Sequence, residues 1–247
     1  MTWLRKLYEF AAFYFCAGVF AFSVLVSGVL GRILYPFLSR RQGARAGRYI
    51  LHWTCKIVVG SMNYCGIVKF DLTALDTLDP EESLIIAPNH PGLLDAVLIM
   101  SRLTNVVCIM KASLRENIFL GGGTRLARYI DNDSAGDMVR DSVAELQAGC
   151  QLLVFPEGTR TTIKPVNPFK SGFALIGLKA NVALQTVFID TNSDFLGKHW
   201  PGLRKPEFPL VYTLRLGKRF DMVGERKELV GEIETYFREQ LSAGRRD

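Results

Sequence analysis

From residue 71 onward, apolar positions fall into short runs separated by stretches of helical periodicity. Residues 83–87, 105–110 (NVVCIM), 151–155 (QLLVF), 182–189 (VALQTVFI) and 209–216 (PLVYTLRL) have the length and β-branched content of buried strands. Between the second and third runs, Met138, Val139, Val143 and Leu146 make an apolar stripe at helical spacing, with Ser134 placed to cap the helix and Gly149 to end it. Segment 225–241 repeats the pattern through Leu229, Ile233, Tyr236, Phe237 and Leu241. Strands alternating with amphipathic helices predict an α/β domain.

The first seventy residues follow a different rule. Phe10 to Gly31 is a run of 22 residues without a charge. At about 1.5 Å per residue such a helix is long enough for a hydrocarbon core of roughly 30 Å. The run exceeds a signal-peptide core and a basic cluster follows it, so a retained membrane helix is expected in place of a cleaved leader. Tyr8, Tyr14 and Tyr35 also suit an interfacial arrangement, so spanning and lying in one leaflet both stay open. The basic junction 40–48 (RRQGARAGR) would lie near anionic headgroups, and 49–70 reads as a membrane-hugging or buried helix running into a first strand. The expected organisation is an anchor and junction over 1–48 followed by one domain over 49–247.

Charge changes this picture in one respect. The net charge of +6 sits wholly in residues 1–50, which hold seven Lys or Arg and one acid; the rest of the 247-residue chain is neutral. An excess confined to the flanks of an apolar helix points to a membrane and away from nucleic acid, and the denser positive side places the domain on the cytoplasmic face of an inner membrane. Five cysteines lie scattered among apolar neighbours, as buried thiols of a reducing compartment would.

Two stretches carry chemistry. In NHPGLLDAV (89–97), Pro91 suits the first turn of a helix, which leaves His90 just outside it and Asp95 one turn in. A histidine there can fold back onto the aspartate, which holds one ring nitrogen protonated and leaves the other to accept a proton. A plain helix start capped by Asn89 has the same spacing. FPEGTRT (155–161) follows a strand, and Pro156 and Gly158 turn the chain at the edge where open α/β sheets bind ligands. Backbone N–H groups beside Thr159 and Arg160 there suit a phosphate, while Glu157 is placed to orient a hydroxyl or brace Arg160.

His-x4-Asp followed some sixty residues later by Phe-Pro-Glu-Gly-Thr-Arg resembles the glycerolipid (lysophospholipid) acyltransferase family over roughly residues 80–220. The resemblance implies a mixed, mostly parallel sheet flanked by helices behind the membrane helix. It implies His90 as general base, Asp95 as its orienting partner, and Glu157, Gly158, Thr159 and Arg160 as the acceptor turn. Lys111, after the second strand, and Lys170, in FKSG, join the substrate-binding set, and Gly121-Gly122-Gly123 supplies a loop. The donor would be a fatty acyl thioester on acyl carrier protein or coenzyme A, with no metal or redox cofactor. Departures fall in the acceptor half: Asn132 stands where an arginine follows Ile-Asp, Ala127 replaces a glycine, and 182–187 lacks a proline. Arg125 and Arg128 are the candidates to replace the missing cation. A different lyso acceptor, such as an aminolipid, and a silent lipid-binding protein remain as alternatives.

Overall fold

A computed structural model describes residues 3–117, 119, 121–202 and 204–243, so the basic tail Arg245-Arg246 lies outside the described residues. The chain runs α1 (Trp3–Leu34), α2 (Arg40–Tyr64), β1 (Val68–Asp71), β2 (Leu84–Pro88), α3 (Leu94–Met100), β3 (Val106–Met110), α4 (Ala112–Arg115) and α5 (Gly121–Leu126). It continues through β4 (Ile130–Asp131), α6 (Ala135–Gln147), β5 (Gln151–Leu153), α7 (Gly172–Ala180), β6 (Leu184–Thr191), β7 (Leu210–Phe220) and α8 (Arg226–Ala243).

One seven-stranded sheet in the order β1-β7-β6-β2-β5-β3-β4 organises these elements. Every neighbouring pair is parallel except β6 with β7, so the sheet is mixed and mostly parallel as expected. Central β2 is buried at all five positions, because helices cover both faces of the sheet. One apolar layer joins Phe13 of α1 and Leu51 of α2 to Leu98 of α3, and the other joins Val139 of α6 and Phe173 of α7 to Phe237 of α8. The five predicted strand runs match β2, β3, β5, β6 and β7 to within a few residues at either end. Ser134 caps α6 by accepting from the Asp137 N–H, and Gly149 follows that helix at φ 86°.

The largest departure from expectation concerns Gly121-Gly122-Gly123. They form the start of α5 and are buried. Three glycines weaken a helix by roughly 3 kcal/mol relative to alanines, so packing must hold this one. A methyl group on Gly28 or Gly31 of α1, or on Gly122, would strike facing backbone, and one on Gly47 of α2 would strike Ala127. The glycines allow three helix backbones to touch.

α1 is accordingly two-sided. Ala12, Phe13, Cys16, Ser27, Gly28 and Gly31 face the protein, while Leu7, Phe10, Phe15, Phe22, Leu25 and Ile33 are exposed. Among the described residues it is the helix long and apolar enough to cross a membrane. α2 runs unbroken from the basic junction into the segment beyond it.

Candidate active site

β2 delivers His90 to the carboxyl edge of the sheet, next to β5, which ends in the FPEGT turn. His90 Nδ1 lies 2.7 Å from Asp95 Oδ2, the contact anticipated from their spacing. With an ionised carboxylate as acceptor, Nδ1 carries the proton, and in the neutral ring Nε2 then holds the lone pair. The imidazole stacks on Phe155 with centroids 3.8 Å apart and planes at 19°, and keeps 15% of its surface accessible. Ring stacking and the carboxylate together fix its orientation.

The helix begins later than the sequence suggests. Pro91 and Gly92 form a bend, α3 starts at Leu94, and Asp95 sits in its first turn. The Gly92 N–H donates to Asp95 Oδ2 at 2.9 Å, and Gly92 lies against the Phe195 carbonyl with no room for a side chain to enter freely. These contacts hold residues 91–93 out of the helix and leave His90 free to fold back. Asp95 is fully buried, which pushes its carboxyl above the ordinary carboxylate range; the bonds from His90 and Gly92 oppose that rise.

Glu157 occupies a different position from the one its sequence neighbours suggested. It is buried, with Oε1 accepting from the His90 N–H (3.0 Å) and the Thr161 hydroxyl (2.7 Å) and Oε2 accepting from the Asn167 N–H (2.8 Å). Glu157 therefore ties the turn to the main chain of His90, and the Thr161 N–H completes the tie by donating to the His90 carbonyl at 2.7 Å. Gly158 and Thr159 are exposed at the tip, Gly158 at φ 68°. Exposed Lys170 crosses over Gly158, and its N–H donates to the Pro156 carbonyl at 2.7 Å. Arg160 Nη1 donates to the carbonyls of Leu196 and Gly197, both at 2.9 Å.

The remaining candidates are more scattered. Lys111 leaves β3, two strand positions from β2 and so about 10 Å away along the sheet edge. Asn132 leaves β4, one strand farther. Arg125 and Arg128 do not join the dyad: they line a separate cleft of about 1070 Å³ that includes no residue of 89–97 or 155–161. Arg128 pairs with Glu145 at 3.2 Å, and Arg125 lies over the Tyr35 ring. His52 is packed, its Nδ1 on the Met100 carbonyl at 2.9 Å, and His199 is exposed.

In the loop between β6 and β7, sequence reasoning weighed only His199, for which it preferred the surface position it occupies. Leu196 accepts from the Leu93 N–H at 3.2 Å as well as from Arg160, so this loop walls the bend beside His90. The same loop holds α1, through Phe195 against Phe13 (6.0 Å between centroids) and Lys205 with buried Glu9 at 3.2 Å. Its long Gly-, Trp- and Pro-rich stretch was the available signal.

Residues 69–190 match the family model described as acyltransferase. Over 217 residues the chain is 23% identical to a 1-acyl-sn-glycerol-3-phosphate acyltransferase of Pseudomonas aeruginosa, covering 85% of this chain and 81% of that protein. It also resembles the crystal structure of the 1-acyl-sn-glycerophosphate (LPA) acyltransferase PlsC from Thermotoga maritima. The TM-score is 0.72 and the identity 22%, with 100% of this chain and 99% of that one covered, a likeness of fold.

Proposed function

We propose, for a chain that carries an acyltransferase-family domain over residues 69–190, that it moves a fatty acyl group from an acyl thioester to the free hydroxyl of a lysophospholipid such as 1-acylglycerol-3-phosphate. His90 Nε2 takes the proton of the attacking hydroxyl, and Asp95 holds the Nδ1 proton and offsets the charge of the imidazolium that forms. The hydroxyl oxygen bonds to the thioester carbonyl carbon, the carbon–sulfur bond breaks, and the proton on His90 passes to the departing thiolate. Acyl carrier protein or coenzyme A carries the donor, and no cofactor is required. Thr159, Arg160, Lys111 and Lys170 contribute polar contacts for the anionic ends of the two substrates, while Glu157 positions His90. Exposed apolar residues of α1 hold the protein to the cytoplasmic face of an inner membrane, where acceptor and product reside.

The observation that carries this reading is the 2.7 Å contact of His90 Nδ1 with a fully buried carboxylate at the carboxyl edge of the central strand. The test is acyl transfer from acyl-carrier-protein and coenzyme A thioesters to a panel of lyso acceptors. His90→Ala is expected to lose at least a hundredfold in kcat while membrane association persists, and a variant that retains parental kcat overturns the assignment. A second reading, transfer to a different lyso acceptor, is favoured by Asn132 at the expected arginine position and by Arg160 Nη1 being engaged with two carbonyls. It predicts that lysophosphatidic acid is a trace substrate in the same panel.

A further inference from the structure

Between α2 and α6, which pack in opposite helical layers, lies a cleft of about 530 Å³. Five arginines line it: Arg40, Arg41, Arg45 and Arg48 from α2, and Arg128 from the turn after α5. Glu145 is the sole carboxylate in the lining, and it pairs with Arg48 and Arg128. Arg48 is only 5% exposed, yet its Nε has no hydrogen-bond partner among the described residues. Arg40, Arg41 and Arg45 make no ion pair among the described residues. Arg40 and Arg128 also line the adjoining cleft, which holds Asp131, Asp133, Asp137 and Asp141, whereas Arg41 and Arg45 line only this one, with Glu145 as its carboxylate. A bound anion with several acceptor oxygens relieves the repulsion among these guanidinium groups.

The cleft is separate from the dyad. Cys150 and Glu145 place it toward the amino edge of β5, whereas His90 stands at the carboxyl edge of the neighbouring strand. The surface beside it indicates the source of the anion. Arg41, Arg45, Tyr49, Trp53 and Ile57 recur every four residues along α2, and all are exposed. Basic residues thus give way to aromatic and aliphatic ones along one stripe, the order in which a helix meets headgroups and then acyl chains.

We propose that this cleft binds the phosphate of an acidic phospholipid headgroup, as a site distinct from the acyl-transfer centre. The experiment compares partition of the full chain onto vesicles of phosphatidylcholine alone and of phosphatidylcholine with phosphatidylglycerol, at about 0.1 M salt. Arg41→Ser/Arg45→Ser is expected to lower partition onto the acidic vesicles roughly thirtyfold. It should leave partition onto the neutral ones within threefold. Arg226→Ser/Lys227→Ser, which removes the same charge from the opposite helical layer, should leave both within threefold. Equal losses in the two double variants would mean diffuse attraction and overturn the proposal. A wild-type melting temperature raised by inorganic phosphate as much as by acidic vesicles would mean a free-phosphate site and overturn the lipid assignment.

Discussion

Replacing Asp95 by asparagine separates the chemistry of the dyad from the cost of folding it. Oδ2 of Asp95 accepts from His90 and from Gly92, while Oδ1 is buried without a hydrogen-bond partner among the described residues. An asparagine in the same rotamer can place its oxygen at the first position and its amide nitrogen at the second, so both bonds survive. The charge is lost, and two amide N–H donors take the buried Oδ1 position. At a charge separation of about 4 Å and an effective dielectric constant near 20, a unit pair is worth about 4 kcal/mol, and this is withdrawn from the imidazolium of the transition state. The expected fall in kcat is on the order of a thousandfold.

Stability moves the other way. Burial raises the folded pKa of Asp95 above its unfolded value. Such a group contributes its stability below the unfolded pKa, near 4, and loses it as pH rises through the folded pKa. At neutral pH the ionised carboxylate therefore costs stability that the amide does not. Relative to the parent, the melting temperature of Asp95→Asn should therefore rise from pH 4 to pH 7, any advantage shrinking toward pH 4. Thiol release from an acyl thioester and thermal unfolding in one detergent at pH 4, 5.5 and 7 provide the two measurements. A kcat within threefold of parent, or an advantage that shrinks as pH rises, refutes the reasoning.

Two further outcomes follow from the packing. Glu157→Gln sets an amide N–H₂ against at least one of the three donors that converge on the carboxylate, and should destabilise by about 3 kcal/mol; unchanged unfolding in urea would remove its positioning role. Gly28→Leu forces side-chain atoms into the backbone facing α1 and should cost about 3 kcal/mol, read as faster proteolysis in the turn between α1 and α2; parental proteolysis rates would mean that α1 does not depend on this close approach.

The strands were legible because β2 and β5 are buried on both faces, which leaves continuous apolar runs that no other local pressure obscures. His90 and Asp95 were legible because five residues and one bend connect them. Glu157 was not, since its partner at His90 lies 67 positions away and a carboxylate in a turn looks alike whether it points outward or inward. The glycine triplet misled for a related reason. Glycine marks a loop by default, and the close approach of Gly28 and Gly31 of α1 to Gly122, made by the fold, is not visible locally. Arg125 and Arg128 misled because a cation's partner is chosen in three dimensions, and theirs are the Tyr35 ring and Glu145, in a cleft that includes no residue of the dyad.

The two-sidedness of α1 bears on how this protein can be handled. Trimming an apolar amino-terminal helix is the usual route to a water-soluble catalytic domain. Here the cut would unroof α5, take away the Phe13 contact of Phe195 and leave Lys205 without Glu9, in a loop that also walls the bend beside His90. The outer face of the helix carries the exposed apolar side chains, and the inner face completes the domain. Solubility is better sought by substituting outward residues such as Phe15 and Phe22 in place, with the helix kept as a structural wall.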